Sequence, residues 1–316
     1  MTFLLTTFLI LIITTALYWS LACRWGITDK PGGVKRHSRD TVTGAGIIFP
    51  IAALSWFFYS GMEMPWFLTG LLLIAIVSFL DDLLNLSYRY RITAQLVAVA
   101  LMMQQVELFQ FSWYGWMGSL ILITGTVNAF NFMDGINGMT PIYGLVTIIG
   151  LLGVNAFIPF ADEGLIYITA MAALIIAILN ARARAVAFVG DVGSHSLGFI
   201  LCFLMVLLLL ETANPAWVLL FGVYGTDTVM TILRRLYRRE NIFYAHNLHL
   251  YELLAHQQQW PHLQVTALYA LIQAAITALT ASLMINEVVP AIAWLAVVLL
   301  ILATTYWLGV RLIGRG

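Results

Sequence analysis

The sequence predicts an all-α, polytopic integral membrane protein with about eleven transmembrane helices, forming a single membrane-embedded domain over residues 1–316. Three observations carry this. Hydrophobic residues make up 61% of the chain and charged residues 9%, and mean hydropathy is +0.92. A soluble domain is about a quarter charged, so this chain lacks the polar groups to cover a water-facing surface. The apolar residues also fall in runs close to the roughly 20 residues needed to cross a bilayer. Finally, the cations are confined to alternate loops.

The runs place helices near 2–23, 44–61, 66–80, 92–106, 114–130, 139–157, 164–180, 195–212, 215–233, 264–284 and 288–310. The first lacks the basic leader of a signal peptide and is long enough to span, so it reads as a retained helix. With the N-terminus outside, one set of loops is 24–43, 81–91, 131–138, 181–194, 234–263 and the tail 311–316. Every lysine and arginine falls in that set, from Arg24 and Lys30 through Arg311 and Arg315. The opposite loops carry only acids: Glu63, Glu107, Asp162, Glu163, Glu211 and Glu287. The positive-inside rule makes the basic set cytoplasmic.

Net charge is zero, which argues against a nucleic-acid partner. The two cysteines, Cys23 and Cys202, lie in or beside apolar runs and suggest neither a disulfide framework nor a metal motif. No internal repeat or low-complexity tract is evident.

The unusual polar clusters all lie on the predicted cytoplasmic side. "DDLLN" puts Asp81 and Asp82 at the end of the third helix. Adjacent carboxylates at a membrane surface need cations, either as a metal or phosphate site or simply as a helix end balanced by Arg89 and Arg91. "NAFNFMDGINGM" repeats polar groups every three residues, at Asn128, Asn131, Asp134 and Asn137. The first three fall on one helical face, and Gly135 and Gly138 then bend the chain. Such a stripe lines a cavity or ties helices together. "FVGDVGSHSLG" sets Asp191 between Gly190 and Gly193, ahead of Ser194 and a new helix. Glycines let backbone approach a ligand, and a helix N-terminus favours phosphate, although an Asp/Ser cap is the ordinary alternative. On spacing alone, Phe188 reads as a core aromatic.

"AHNLHLY" offers His246 and His249 with no third metal ligand, so a phosphate-holding patch with Arg234, Arg235, Arg238 and Arg239 fits better than zinc. Lys35, Arg36 and His37 form a second basic cluster, suited to phosphate or to anionic lipid. Asp227 lies inside the ninth helix, where an acid is either functional or paired with an arginine a turn or two along. Acids and cations gathered on one membrane face suit phosphate chemistry assisted by a hard divalent metal.

"FLDDLLN", "NAFNFMDGINGM", "FVGDVGS" and "AHNLHLY" together resemble the polyprenyl-phosphate N-acetylhexosamine-1-phosphate transferases. The motifs occur in the family's order, from the second helix to the loop after the ninth. The resemblance implies transfer of N-acetylhexosamine-1-phosphate from a UDP-sugar to undecaprenyl phosphate, with release of UMP. It implies Mg²⁺, with Mn²⁺ as the alternative, held by Asp191 with Asp134 nearby. Asp81, Asp82, Asp134 and Asp191 match the catalytic acids. Lys35, Arg36, His37, Asn128, Asn131, Asn137, Phe188, Gly190, Ser194, His246 and His249 match substrate-binding positions, with Phe188 stacking on uracil. The resemblance further implies a bacterial inner (cytoplasmic) membrane enzyme, in contact with membrane lipid, that forms a homodimer.

The chain departs from the muramoyl branch at Asn85, at Asn137 and in having "HNLHLY" where that branch has a histidine triplet. These differences point to the GlcNAc-1-phosphate branch, which starts O-antigen and related lipopolysaccharide or cell-wall glycans. The alternative from another class is an ion-coupled transporter using Asp227 and Asp134; it predicts paired repeats. An intramembrane aspartyl protease lacks its second motif here.

Overall fold

A computed structural model describes residues 2–29, 40–241 and 247–313. Helices appear at all eleven predicted places. In chain order they are α1 (Thr2–Trp25), α2 (Ile48–Tyr59), α3 (Pro65–Leu84), α4 (Tyr88–Gln105), α5 (Trp113–Phe132), α6 (Met139–Asn155), α7 (Glu163–Asn180), α8 (Gly190–Thr212) and α9 (Gly222–Tyr237). A short α10 (Leu250–Glu252) then precedes α11 (His262–Ile285) and α12 (Ala291–Ile313). Thr28–Asp29 pairs antiparallel with Thr41–Val42 as β1 and β2, an element the hydropathy pattern does not show.

Among the described residues, seven segments are long and apolar enough to cross a membrane: α1, α3, α7, α8, Pro215–Tyr237, α11 and α12. The protein is thus an all-α polytopic membrane protein. The ninth predicted span is not one uniform helix. Pro215–Phe221 is 3₁₀, with proline at its start, and the chain becomes α-helical at Gly222.

Burial follows composition. Helix α8 is apolar on every face and lies at the centre, with Val192–Val206 buried. Around it pack α3, α5, α6 and α2. Phe67 stacks on Phe203 at 4.0 Å, joining α3 to α8. Tyr143 stacks on Tyr224 at 3.5 Å, joining α6 to α9. By contrast, α1 buries only Thr7, Leu11 and Ala22, and α12 only Val298, Tyr306 and Ile313. Their remaining apolar surface is what a lipid-facing helix presents.

Alternating helix directions gather the polar loops at one end. The C-terminal ends of α3 and α5 meet the N-terminal end of α8 there. At the other end, Trp56 Nε1 donates to Asp162 Oδ1 at 2.8 Å, joining the end of α2 to the start of α7.

Candidate active site

The site is built on a backbone contact that only glycine permits. A Cβ on Gly46 would lie 2.2 Å from the Gly193 Cα and 2.8 Å from the Val189 carbonyl oxygen. The 3₁₀ turn Ala45–Ile47 can therefore lie directly on the first turn of α8. Ala45 N–H donates to the Phe188 oxygen (3.1 Å) and Gly46 N–H to the Val189 oxygen (2.9 Å). Gly190 has φ +75°, and a Cβ there would meet Gly44 backbone at 2.7 Å.

Asp82 fixes this turn from the other side. Its Oδ1 accepts from Asp191 N–H at 3.1 Å and its Oδ2 from Val192 N–H at 3.2 Å. A carboxylate there answers the unpaired donors and positive dipole end of α8. The consequence is a fixed position for Asp191.

Asp81, one residue earlier, faces a different set of groups. Its Oδ1 accepts from Leu86 N–H at 2.8 Å and its Oδ2 lies 3.0 Å from Arg91 Nη1. The second guanidinium nitrogen of Arg91 lies 3.7 Å from Asp191 Oδ2. Asn131 completes the group: its Nδ2 donates to Asp191 Oδ1 and to Ser194 Oγ, both at 3.0 Å. Asp81, Asp82, Asn131, Gly190, Asp191 and Ser194, all singled out in the sequence, are therefore one cluster. Arg91, which the sequence offered only as a balancing charge, is at its centre.

A second polar layer lies beneath it. Asn128 Nδ2 donates to Gln95 Oε1 at 2.9 Å and to the Thr124 carbonyl at 2.8 Å. This makes Asn128 a tie between α5 and α4. Gln95 Nε2 then donates to His195 Nε2 at 3.0 Å, which leaves the proton on Nδ1 to be donated to the Asp191 carbonyl at 2.9 Å. Ser78 Oγ is 3.1 Å from the same Nδ1. Ser78, Gln95 and His195 are all buried and, with Arg91, line a small cavity behind the acids. The motifs did not single out these three. The available signal was an isolated polar residue in an apolar helix, on the face that carries Asp191 or Arg91.

The α5–α6 turn corrects part of the expectation. Helix α5 ends at Phe132, so Asp134 lies beyond it and does not extend the Asn128–Asn131 face. Its charge bears on the phenols of Tyr224 and Tyr251, and its N–H donates to the Asn131 carbonyl at 3.1 Å. Asn137 joins three elements: Nδ2 donates to the Arg182 carbonyl (2.8 Å), and its own carbonyl accepts from Thr266 in α11 (3.0 Å). Asn180 Oδ1 accepts from Gly138 N–H at 2.6 Å.

The loop after α9 is held from below. Asp227, 3% exposed, accepts five hydrogen bonds: from His249 Nδ1 (3.1 Å), Leu250 N (3.1 Å), Tyr251 N (3.3 Å), Tyr269 OH (2.6 Å) and Thr231 Oγ1 (3.2 Å). Its partner is thus a histidine rather than the arginine expected a turn or two along. With both oxygens occupied it anchors this loop. The arginines differ from expectation too. Arg234 donates to the Leu248 carbonyl, and Arg235, 4% exposed, donates to the Asn241 carbonyl at 2.5 Å and pairs with Glu240 at 3.3 Å. Both bind the loop itself. His249 is buried. Its N–H donates to Glu252 Oε2 at 3.1 Å, and burial pushes the Glu252 carboxyl up to about 7 against the opposing pull of His249. Tyr251 OH donates to the Phe132 carbonyl at 2.9 Å, which docks this loop on the Asp134 turn.

Phe188 is half-buried, with N–H on the Val42 carbonyl at 2.7 Å. Lys35, Arg36, His37 and His246 lie outside the described residues.

The donor set suits Mg²⁺. Asp191 is 27% exposed at a helix N-terminus, with Asp81 near it. Among the described residues no three His, Cys, Asp or Glu side chains converge as a complete metal cage. Mg²⁺ requires none, since it takes one or two carboxylates and fills its octahedron with water and substrate phosphates.

Residues 64–209, from the start of α3 almost to the end of α8, match the model of glycosyl transferase family 4. That segment contains Asp81, Asp82, Arg91, Asn131 and Asp191. Over these residues the chain is similar to glycosyl transferase family 4. It is similar to the probable undecaprenyl-phosphate N-acetylglucosaminyl 1-phosphate transferase of Bacillus subtilis (strain 168), 24% identical over 276 residues, covering 79% of this chain and 75% of the relative. It is also similar to the undecaprenyl-phosphate alpha-N-acetylglucosaminyl 1-phosphate transferase of Salmonella typhi, 27% identical over 296 residues, covering 79% and 75%. The phospho-N-acetylmuramoyl-pentapeptide-transferase of Thermotoga neapolitana is 27% identical over 248 residues, covering 71% and 79%. The first two of these relatives are named as N-acetylglucosaminyl 1-phosphate transferases and the third as a muramoyl-pentapeptide transferase. Together with the helical bundle, these likenesses support a multi-pass membrane transferase.

Proposed function

We propose that this transferase moves an N-acetylhexosamine-1-phosphate from a UDP-sugar to undecaprenyl phosphate, on the cytoplasmic face of a bacterial inner membrane. The observation that carries the reading is the joining of Asp81, Asp191 and Asn131 by Arg91 and direct hydrogen bonds at one end of the bundle. The names of the relatives supply the acceptor, and the departures from the muramoyl motifs favour a route to O-antigen or a related surface glycan.

In the reaction an oxygen of the lipid phosphate attacks the sugar-bearing phosphorus, and the bond from that phosphorus to the UMP oxygen breaks. One phosphoanhydride replaces another, so the barrier to overcome is the meeting of two anions. A phosphate monoester loses its second proton near pH 6, so at neutral pH the acceptor has little proton left to remove. The acids then position and organise charge more than they act as bases. Asp82 holds the α8 turn, and Asp81 holds Arg91 beside Asp191. Mg²⁺ on Asp191 would screen the diphosphate and polarise it. Asn131 orients the Asp191 carboxylate, and the α8 N-terminus faces negative charge. Preorganised dipoles and cations of this kind give the largest stabilisation where water is excluded.

The test is Asp191→Asn in membranes supplied with labelled UDP-GlcNAc and undecaprenyl phosphate. Loss of transfer by a factor of about 100 or more is expected for removal of a main electrostatic group. Full activity would overturn the metal role.

A further inference from the structure

Arg91 is shared between two carboxylates from different helices. It approaches Asp81 of α3 at 3.0 Å and Asp191 of α8 at 3.7 Å. The two contacts are unequal. The first is close to an ordinary charge-assisted hydrogen bond, and the second is longer than the roughly 2.7–2.9 Å typical of one. Asp191 also accepts from the Asn131 amide, and Asp81 lies beside it. Arg91 is thus a cation that directly meets this carboxylate. Its side chain is 36% exposed, so it can turn without being driven into the apolar interior.

A divalent cation on Asp191 would answer the same electrostatic need, and two cations on one carboxylate repel each other. We propose that Arg91 serves the acid cluster as a counter-cation. It joins Asp81 to Asp191 before a metal binds and competes with the metal for Asp191. It then keeps Asp81 while the freed guanidinium edge faces an incoming phosphate. The longer Asp191 contact is the one given up. Arg91 thereby lowers metal affinity in the empty enzyme and links metal binding to arrival of an anionic substrate. The inference rests on the metal reading of the site.

The experiment is a titration of purified, detergent-solubilised protein with Mn²⁺, read by its paramagnetic resonance signal, without nucleotide or lipid. Wild type, Arg91→Met, Arg91→Gln and Asp191→Asn are compared, and each is first checked for an intact melting transition. Removing a neighbouring positive charge is expected to tighten Mn²⁺ binding by about tenfold or more in both Arg91 variants, by the Coulomb relation at a partly exposed site. Asp191→Asn is expected to lose the site. Both Arg91 variants are expected to lose transfer activity although they bind the metal more tightly. Equal affinity in wild type and the Arg91 variants would overturn the inference and leave the metal reading standing. Absence of bound Mn²⁺ from wild type and from both Arg91 variants would overturn the metal reading itself. Arg91→Gln keeps a polar contact to Asp81, so the inference remains testable if Arg91→Met fails to fold.

Discussion

Asp227→Ala tests how the loop after α9 is held. The carboxylate is 3% exposed and accepts from two backbone N–H groups, two hydroxyls and the His249 ring. Alanine would leave the Leu250 and Tyr251 N–H groups, the Tyr269 hydroxyl and His249 without their buried acceptor. Removing a buried carboxylate and leaving its donors unpaired costs about 3–5 kcal/mol, well below the sum of the separate bonds because the loop relaxes. For a chain of this size each kcal/mol shifts the melting temperature by roughly 2 °C, so a fall of roughly 6–10 °C is expected in detergent. Hydrogen exchange should locate the damage, with faster exchange in 247–257 and unchanged protection in the middle of α8. Asp227→Asn keeps an acceptor but turns an amide toward donors, so it should fall between wild type and alanine. A melting temperature within about 2 °C of wild type, with exchange in 247–257 unchanged, would refute the anchor.

Three other outcomes are expected. Gly46→Ala forces a Cβ to 2.2 Å from the Gly193 backbone, so correctly folded protein should drop sharply, as read by monodisperse yield in detergent; a normal yield with normal activity would contradict the contact. His195→Leu strips Gln95 and the Asp191 carbonyl of a buried partner and should cost about 1–3 kcal/mol in thermal unfolding, with partial recovery when Gln95→Leu is added. Glu252 has its carboxyl raised to about 7 by burial, so the folded protein prefers it protonated. Its contribution is fully present below the unfolded value near 4.5 and is lost as pH rises through about 7. The wild-type melting temperature should thus fall relative to Glu252→Gln across that window, whereas parallel pH profiles would contradict the assignment.

The helices were legible because seven segments among the described residues are apolar runs long enough to span, and because cations avoid alternate loops. The exceptions have local causes. Phe221 and Gly222 divide the ninth span into 3₁₀ and α parts, and hydropathy averages over that change. The acid cluster was legible too, since Asp81, Asp82, Asn131 and Asp191 interrupt or end apolar runs, the last two beside glycines. Their division of labour was not. Asp82 and Asp81 are neighbours in sequence, yet one caps α8 and the other meets Arg91, which only the packing of α3 on α8 decides. His195 and Gln95 are 100 residues apart and carry no motif, so their pairing exists only in the folded bundle. Asp227 was visible as an intramembrane acid, but its partner arrives 22 residues later, where no helical period predicts it. Arg234 and Arg235 looked free for phosphate because sequence does not show that the loop folds back to use them.

The most direct test of the central claim is the mass of the lipid product. Purified protein in detergent is supplied with Mg²⁺, undecaprenyl phosphate and a panel of UDP-N-acetylhexosamines, and the extracted lipid is weighed by mass spectrometry. The account predicts one new species heavier than undecaprenyl phosphate by an N-acetylhexosamine phosphate, equimolar UMP, and neither product from Asp191→Asn. Well-folded wild-type protein that returns only undecaprenyl phosphate, with no UMP from any of the sugars, would contradict it.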